Sequence, residues 1–334
     1  MPQALPYDAV LIVSFGGPEG PDEVMPFLER VTQGRNIPRE RLLEVAAHYH
    51  HFGGVSPLNA QNRALVAARQ ARLEEKGSWL PVYLGNRHSP PFLRDVVRKM
   101  KKDGVRRAIG IATSAFGSPS SCRQYQEAIQ AAVQSEGGPS IDKIPPFWDH
   151  PGFIEAQVLQ VQAYCAAQGI RLTSGALQVL MSAHSIPIAM AKVSPYVEEL
   201  KEAARLVAQG LGIDAWELVW QSRSGPPQVP WLEPDILAVI HSLPQKGIRE
   251  VLAIPIGFLS DHMEVMWDLA IEPKGRAEAH GTRLRRPPPL GTHPRFVEVL
   301  CELVEERLFG FSPKRVGSLA SRPRCTPECC RLSS

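Results

Sequence analysis

Two short, largely apolar runs constrain this chain more than any other feature. AVLIVSF (9–15) stops at Gly16-Gly17-Pro18, and LQVLMSAHS (177–185) stops at Ile186-Pro187. Runs of this length are too short for a core helix, and turn residues bound them. They read as strands buried on both faces, which a parallel sheet covered by helices provides. The intervening sequence supports that reading. PDEVMPFLERVT (21–32) reads as a helix. SPLNAQNRALVAARQARLEEKG (56–77) is a longer one, with Ser56 as N-cap, Pro57 at the first position and Gly77 at the end. PVYLGNR (81–87) and RRAIGIATSAF (106–116) follow as strands, with helices over 92–104 and 120–135.

After PPFWDHPG (145–152) the pattern restarts. It gives a helix (153–168), the second apolar run, a helix (196–212), strands over 216–223 and 251–260, a helix from about 261, and a last helix over 295–308. The expectation is an α/β chain of two similar doubly wound, Rossmann-like parallel-sheet domains with a cleft between them. The N-terminal α/β domain spans 1–146 and the C-terminal α/β domain 147–310. A polar, Cys-containing tail covers 311–334. Ligands of such sheets sit beyond the carboxyl ends of the strands. That places GGPEGP, GNRHSPP, TSAFGSPSS, SAHSIP, QSRSGPP and GFLSDHMEV around the cleft.

Composition excludes several classes of function. The 334 residues carry 37 Lys and Arg against 34 Asp and Glu, so the net charge of +3 recruits no nucleic acid. No apolar stretch reaches the roughly 18–20 residues of a membrane span. No basic n-region precedes the first strand, so no secretion signal is expected and the expected location is cytoplasmic. There the six cysteines stay reduced, and a disulfide framework is not expected. Neither GxxxxGK[ST] nor HExxH nor GxSxG occurs. GGPEG (16–20) lacks dinucleotide spacing and has Pro18 and Glu19 where amides would face phosphate.

The chemistry gathers at two strand ends. His184 closes the second apolar run, where a lone imidazole either satisfies a backbone carbonyl or faces the cleft. GFLSDHMEVMWDL (257–269) sets Asp261, His262, Glu264 and Asp268 within eight residues of one another, among Met263, Val265, Met266 and Trp267. With Ser260 as N-cap, Asp261, Glu264 and Asp268 fall at i, i+3 and i+7, one stripe of a helix. Carboxylates beside so much apolar surface need a cation or protons to be tolerated. Such a row suits passing a divalent cation inward or protons outward.

Taken together, these segments resemble the ferrochelatases, enzymes that insert ferrous iron into a porphyrin. The resemblance covers residues 8 to about 310. It rests on DAVLIVSFGGPEGPDEVMPFLERVTQGR, YHHFGGVSPLNAQNRAL, YLGNRHSPPFL, TSAFGSPSSCRQYQE, SAHSIP, WQSRSGPPQVPWLEPD and GFLSDHMEVMWDLAIE, in that order. The opening SFGGPEGPDEV and the Cys-rich tail look most like the actinobacterial type, which acts on coproporphyrin III. The resemblance implies that His184 and Glu264 face each other across the porphyrin as the catalytic pair and as the residues that meet Fe2+. It implies that Asp261, His262 and Asp268 are an acidic relay behind Glu264, and that Ser56 and Tyr125 contact the tetrapyrrole. The resemblance also places Ser222, Gly225, Pro226 and Trp231 in a loop at the cleft, packing there or touching the ring. Glu19 stands where Firmicute relatives carry an iron-ligating Tyr. Arg35, Arg63 and Arg87 are candidates for meeting the substrate's carboxylates.

The tail RCTPECCRLSS brings a further implication. Iron–sulfur-bearing members hold a [2Fe–2S] cluster on three C-terminal thiolates and one from the body. Here those would be Cys325, Cys329 and Cys330, with Cys165 as the fourth. Zinc and unligated thiols are the alternatives; Cys122 and Cys301 read as small buried residues. The implied partners are a porphyrin, coproporphyrin III or protoporphyrin IX, and a downstream heme-pathway enzyme, with the chain itself a monomer. Rival readings are a chelatase for another metal such as cobalt, and a non-catalytic tetrapyrrole or metal carrier.

Overall fold

The computed structural model describes residues 6–75, 77, 80–226, 228–319 and 329–331. Its first half runs β1 (Ala9–Ser14), α1 (Val24–Val31), α2 (Arg39–His51), α3 (Leu58–Glu75), β2 (Val82–Asn86), α4 (Leu93–Lys102), β3 (Arg107–Ala112), α5 (Gln124–Glu136) and β4 (Ser140–Lys143). The second runs α6 (Pro151–Gln168), β5 (Leu177–His184), α7 (Ile188–Lys192), α8 (Tyr196–Leu211), β6 (Trp216–Gln221), α9 (Ile236–Ser242), β7 (Glu250–Ile254), α10 (Met263–Met266), α11 (Glu272–Ala279), β8 (Arg283–Arg285) and α12 (Pro294–Phe309). The apolar runs are strands, as expected. β1 is buried at all six positions and most of β5 is buried.

Both sheets are parallel and repeat one order, β2-β1-β3-β4 and β6-β5-β7-β8. The architecture is therefore duplicated, as the restart of the apolar pattern at 145–152 predicts. β1 and β5 occupy equivalent places, flanked on both sides, which is why these two segments tolerate so little polarity. The halves nevertheless share one apolar core. Val10, Ile12, Ile109 and Ile111 of the first sheet belong to the same buried cluster as Val179, Met181 and Ile254 of the second. Phe153 of α6 links them, its ring centre 6.0 Å from Phe147 and 6.4 Å from Phe296 of α12. Burying a phenylalanine contributes about 1.5–3 kcal/mol, so this seam couples the halves strongly. At its edge Arg72 of α3 meets Glu298 of α12 at 2.7 Å.

Three differences from the sequence reading stand out. β8, for which the sequence reading has no element, lies within the Pro/Arg-rich stretch 275–294, where Arg283–Arg285 pair along the free edge of β7. The segment after α12 is not a loose tail over 310–319. Val316 N donates to the Asp149 carbonyl at 2.8 Å, Arg315 and Lys314 pair with Asp149 and Glu302, and Ser318 N donates to Glu202 at 2.8 Å. Its polarity matches the buried acids beneath it. Finally, the helix expected from about 261 is broken: α10 starts at Met263, a π-helical turn covers Trp267–Ile271, and α11 continues.

Candidate active site

His184 ends β5, in the position where a doubly wound sheet offers its side chains to a cleft. Its Nδ1–H donates to the Ser185 carbonyl, which leaves Nε2 facing outward. Tyr196 Oη donates to the His184 carbonyl at 3.0 Å and fixes the backbone from α8. Glu264 lies in α10, at the end of the stretch that follows β7. Its Oε1 is 3.3 Å from His184 Nε2. The side chains are 31% and 40% exposed, so the pair is held together and still open to a ligand.

The electrostatics follow from that pairing. Burial disfavours the imidazolium, but the adjacent Glu264 carboxylate overrides it and pushes His184 up to about 9. Burial works against the Glu264 carboxylate too, yet His184 and then His262 hold it below the ordinary range. Asp268 goes the other way. Burial and the nearby Glu264 charge push it up to about 7, although Ser222 Oγ donates to its Oδ2. Ser222 follows β6 and holds a left-handed backbone (φ 62°). A non-glycine residue pays strain there, consistent with a hydroxyl placed for function.

The acid stripe is only partly realised. Asp261 precedes the helix, and its carboxylate takes an ion pair from Arg286 at 2.8 Å while its backbone N–H donates to Gln61. The cap of α10 is His262, whose Nδ1 accepts from Val265 N at 3.4 Å, and not Ser260, which is buried. Burial lowers His262. Asp261 thus stands outside the helical register that spacing alone suggests, engaged instead by a guanidinium from outside the segment. The π-helical turn then begins at Trp267, one residue before Asp268; π-bulges recur where a functional side chain is re-aimed.

The first half closes over this corner. Trp267 stacks on His48 of α2, ring centres 3.9 Å apart and nearly parallel at 9°, with His51 edge-on at 5.4 Å. Burial and then the Glu264 charge raise Tyr49 of the same helix. No periodicity in 39–51 signals this contact; the histidines at the end of α2 are the only sequence trace of it.

The remaining expected residues sit on the first half's wall. Ser56 is buried under the Gly16–Pro18 turn, its N–H donating to the Pro18 carbonyl at 2.8 Å and its Oγ accepting from Leu58 N. Tyr125 is buried at the start of α5, with the Arg87 guanidinium 5.3 Å from its ring centre. Arg87 also lies over Phe15 at 5.8 Å and donates to Gln124 at 2.9 Å. Glu19 is paired with Arg63 at 2.6 Å, so of the three arginines expected to meet carboxylates Arg63 already has one. Arg35 is exposed and acts on Arg87 through its charge.

The described residues carry only part of the expected iron–sulfur set. Cys165 is 3% exposed, inside the shared core. Cys329 and Cys330 have their sulfurs 3.6 Å apart. Among the described residues no group of three or more His, Cys, Asp or Glu is arranged to hold a metal ion. Cys325 lies outside the described residues. Cys122 and Cys301 are buried, as their isolation in the sequence suggests.

The two repeated sheets, with an imidazole and a carboxylate at the strand ends, define a chelatase-type protein. SirB from Bacillus subtilis, solved with Fe3+, matches with a TM-score of 0.57 over 90% of this chain and 95% of its own, at 13% identity. CbiX, the terminal enzyme of siroheme biosynthesis in denitrifying bacteria, matches with a TM-score of 0.51 over 89% and 98%, at 17% identity. At such identities these likenesses show the fold. The sequence comparisons go further. The ferrochelatase family model covers residues 7–308. A ferrochelatase of Rhodopirellula baltica is 48% identical over 99% of this chain and 95% of its own. Coproporphyrin III ferrochelatases of Mycolicibacterium smegmatis and Streptomyces coelicolor are 44% and 45% identical, covering 97% and 98% of this chain and 99% and 94% of theirs. The chain belongs to the ferrochelatase family: it is a lyase of heme biosynthesis that inserts metal into a porphyrin. No helix among the described residues is long and apolar enough to cross a membrane.

Proposed function

We propose that this chain inserts Fe2+ into coproporphyrin III, with His184 and Glu264 as the reacting pair. The observation that carries the roles is the 3.3 Å contact between His184 Nε2 and Glu264 Oε1 at a half-open strand end. The named activity of the actinobacterial relatives supports the substrate. Metallation requires two N–H protons to leave the ring as the cation enters. In the resting protein His184 is an imidazolium, paired with the Glu264 anion. Fe2+ arriving as substrate takes up the Glu264 charge and removes what holds His184 protonated. The imidazole then sheds its proton and becomes able to accept one from the ring.

Asp268 is the next proton station. A carboxyl poised near neutral pH both receives and releases protons, and Ser222 Oγ orients it. Its charge acts on both Glu264 and His184, so it stays ionised more readily when His184 is charged. Asp261, ion-paired with Arg286, anchors the turn that presents His262 and Glu264, and His262, lowered by burial, is a further member of the relay. Ser56 and Tyr125 shape the tetrapyrrole wall from beneath it. Arg87 and Arg35 meet the carboxylates of the substrate, Arg87 held in its place by two aromatic faces and Gln124. Glu19, tied to Arg63, stands at the rim of the same wall. The division at residue 146 separates this carboxylate-binding wall from the reacting pair.

The experiment is an anaerobic metallation assay with Fe2+ and either coproporphyrin III or protoporphyrin IX. Faster product formation with coproporphyrin III, lost on His184→Ala, is the expected outcome. Tight porphyrin binding without turnover would make the chain a carrier, and a preference for protoporphyrin IX would overturn the substrate assignment. Co2+ in parallel tests the choice of metal.

A further inference from the structure

Outside this site, two imidazoles meet between the ends of α9 and α11. His241 lies in the last turn of α9 and His280 caps the end of α11. His241 Nδ1 and His280 Nε2 are 3.2 Å apart, and both residues are exposed. The ring centres are 4.7 Å apart and the planes nearly perpendicular at 80°. A straight N–H···N bond of that length would separate the centres by about 5.5 Å, since each ring adds its own radius to the bond. The shorter observed spacing means that the rings lean away from a straight N–H···N line. Two imidazole nitrogens on one Zn2+ at about 2.0–2.1 Å, with tetrahedral angles, stand about 3.3 Å apart. The pair is thus within tenths of an ångström of chelating separation without a cation.

The backbone holds both ligands in place. His280 N donates to the Ala277 carbonyl at 3.1 Å, Gly281 N to Glu278 at 3.0 Å and Thr282 N to Ala277 at 2.8 Å. Gly281 takes the left-handed conformation (φ 68°) that this helix end requires. At the other end Ser242 Oγ donates to the Val239 carbonyl at 2.8 Å, fixing the final turn of α9. The backbone at both donors is therefore fixed, which removes part of the ordering cost of binding.

We propose that His241 and His280 form a second metal site, which takes a borderline divalent cation of the Zn2+, Ni2+ and Cu2+ class and pins α9 to α11. Nitrogen donors favour that class over Mg2+ or Ca2+. No third His, Cys, Asp or Glu among the described residues completes the set, so water fills the remaining positions and the site is exchangeable. On binding, the ring that donates in the His–His contact shifts its proton to its other nitrogen through solvent, so no net proton is released. α11 continues directly from the π-helical turn that carries Asp268. Occupancy therefore ties down the far end of the helix whose near end serves the reacting pair.

The test is a Zn2+ titration of the metal-free full chain, read by calorimetry and by the imidazole 1H–15N signals. The native chain should bind one equivalent more than either His241→Ala or His280→Ala, and the double variant should lose no more than each single one. The same equivalent should persist in His184→Ala, which separates it from the iron-delivering pair. Zn2+ should raise the Tm of the native chain by more than that of His280→Ala. Both positions are exposed, so the variants fold, which circular dichroism verifies. Equal stoichiometry in the native chain and both single variants would overturn the site, as would His241 and His280 signals that do not move with Zn2+.

Discussion

The two halves share a strand order and differ in what they place at the end of the equivalent strand. Beyond β1 the polar side chains of Ser14, Asn59, Asn62, Asn86 and Ser89 are neutral, buried and hydrogen-bonded among themselves and to the backbone, with Asn62 Oδ1 and Asn86 Oδ1 left over. Asn62 Nδ2 donates to Ser14 Oγ at 2.6 Å, Asn59 Nδ2 to the Gly17 carbonyl at 2.9 Å, Gly17 N to Ser89 Oγ at 3.0 Å and Asn86 Nδ2 to Asn59 Oδ1 at 3.2 Å. Beyond β5 the groups are titratable, half-exposed and pushed away from their ordinary ranges by one another. One scaffold thus builds a rigid wall on one side of the cleft and a reactive corner on the other. A network of neutral hydrogen bonds fixes shape and offers no titrating group, whereas charge pairs remain responsive to an incoming cation.

Substitutions on the two sides should therefore fail in different ways. The largest effect is expected at the reactive corner. Glu264→Gln keeps the shape and removes the charge, and metallation should fall at least about a hundredfold, the scale of a lost acid–base group. Histidine NMR should show His184 dropping well below about 9, because the Glu264 charge is gone and only the Ser185 carbonyl and the Asp268 charge remain to oppose burial. A His184 that stays high would show that Glu264 is not its controlling partner.

On the wall, Gly17→Ala should cost stability and spare the chemistry. A Cβ there would stand 2.6 Å from Ser56 Cβ and 2.7 Å from its Oγ. Overpacking of this kind costs about 1–3 kcal/mol, read as a lower denaturation midpoint. A hundredfold loss of turnover in the folded fraction would break the division between wall and corner.

Asp268→Asn sharpens the comparison through pH. In the native state Asp268 keeps its proton to about pH 7, while in the unfolded chain it loses it near 3.8. Between these values the native state binds more protons, so this carboxyl lowers stability as pH rises through the window. The Asn variant lacks that slope and should be more stable than the native chain at pH 8, by about 1–3 kcal/mol, yet slower in metallation. Equal stability of the two at pH 5 and pH 8 would contradict the buried, raised carboxyl. The smallest effect is expected for Trp267→Ala, which removes the stack on His48 and costs about 0.5–1.5 kcal/mol beyond the lost area, measured by double-mutant cycle with His48→Ala.

Much of this was legible from residues alone where a local rule decides the outcome. The unbroken apolar runs could only be doubly covered strands, and they became β1 and β5. His184 at the end of one run and Glu264 a few residues beyond another were readable as cleft residues because strand ends face the cleft in this architecture. The small isolated cysteines read as buried and are. What escaped depended on partners distant in sequence. Asp261 looked like one of three equivalent acids until Arg286 claimed it. Ser222 gave no sign that a left-handed backbone would aim it at Asp268. The 311–319 stretch looked like free polar tail because its charges find Asp149, Glu302 and Glu202 only in three dimensions.

The sequence by itself determined the class of fold, the duplication and the residue types gathered at the second strand end, since periodicity and turn chemistry act over a few neighbours. The tertiary structure alone decided which carboxylate is neutralised, which is raised to the edge of neutral pH and which pairs with the imidazole. Those outcomes depend on burial and on charges tens to hundreds of residues away, and through-space electrostatics leaves no spacing in the chain to be read.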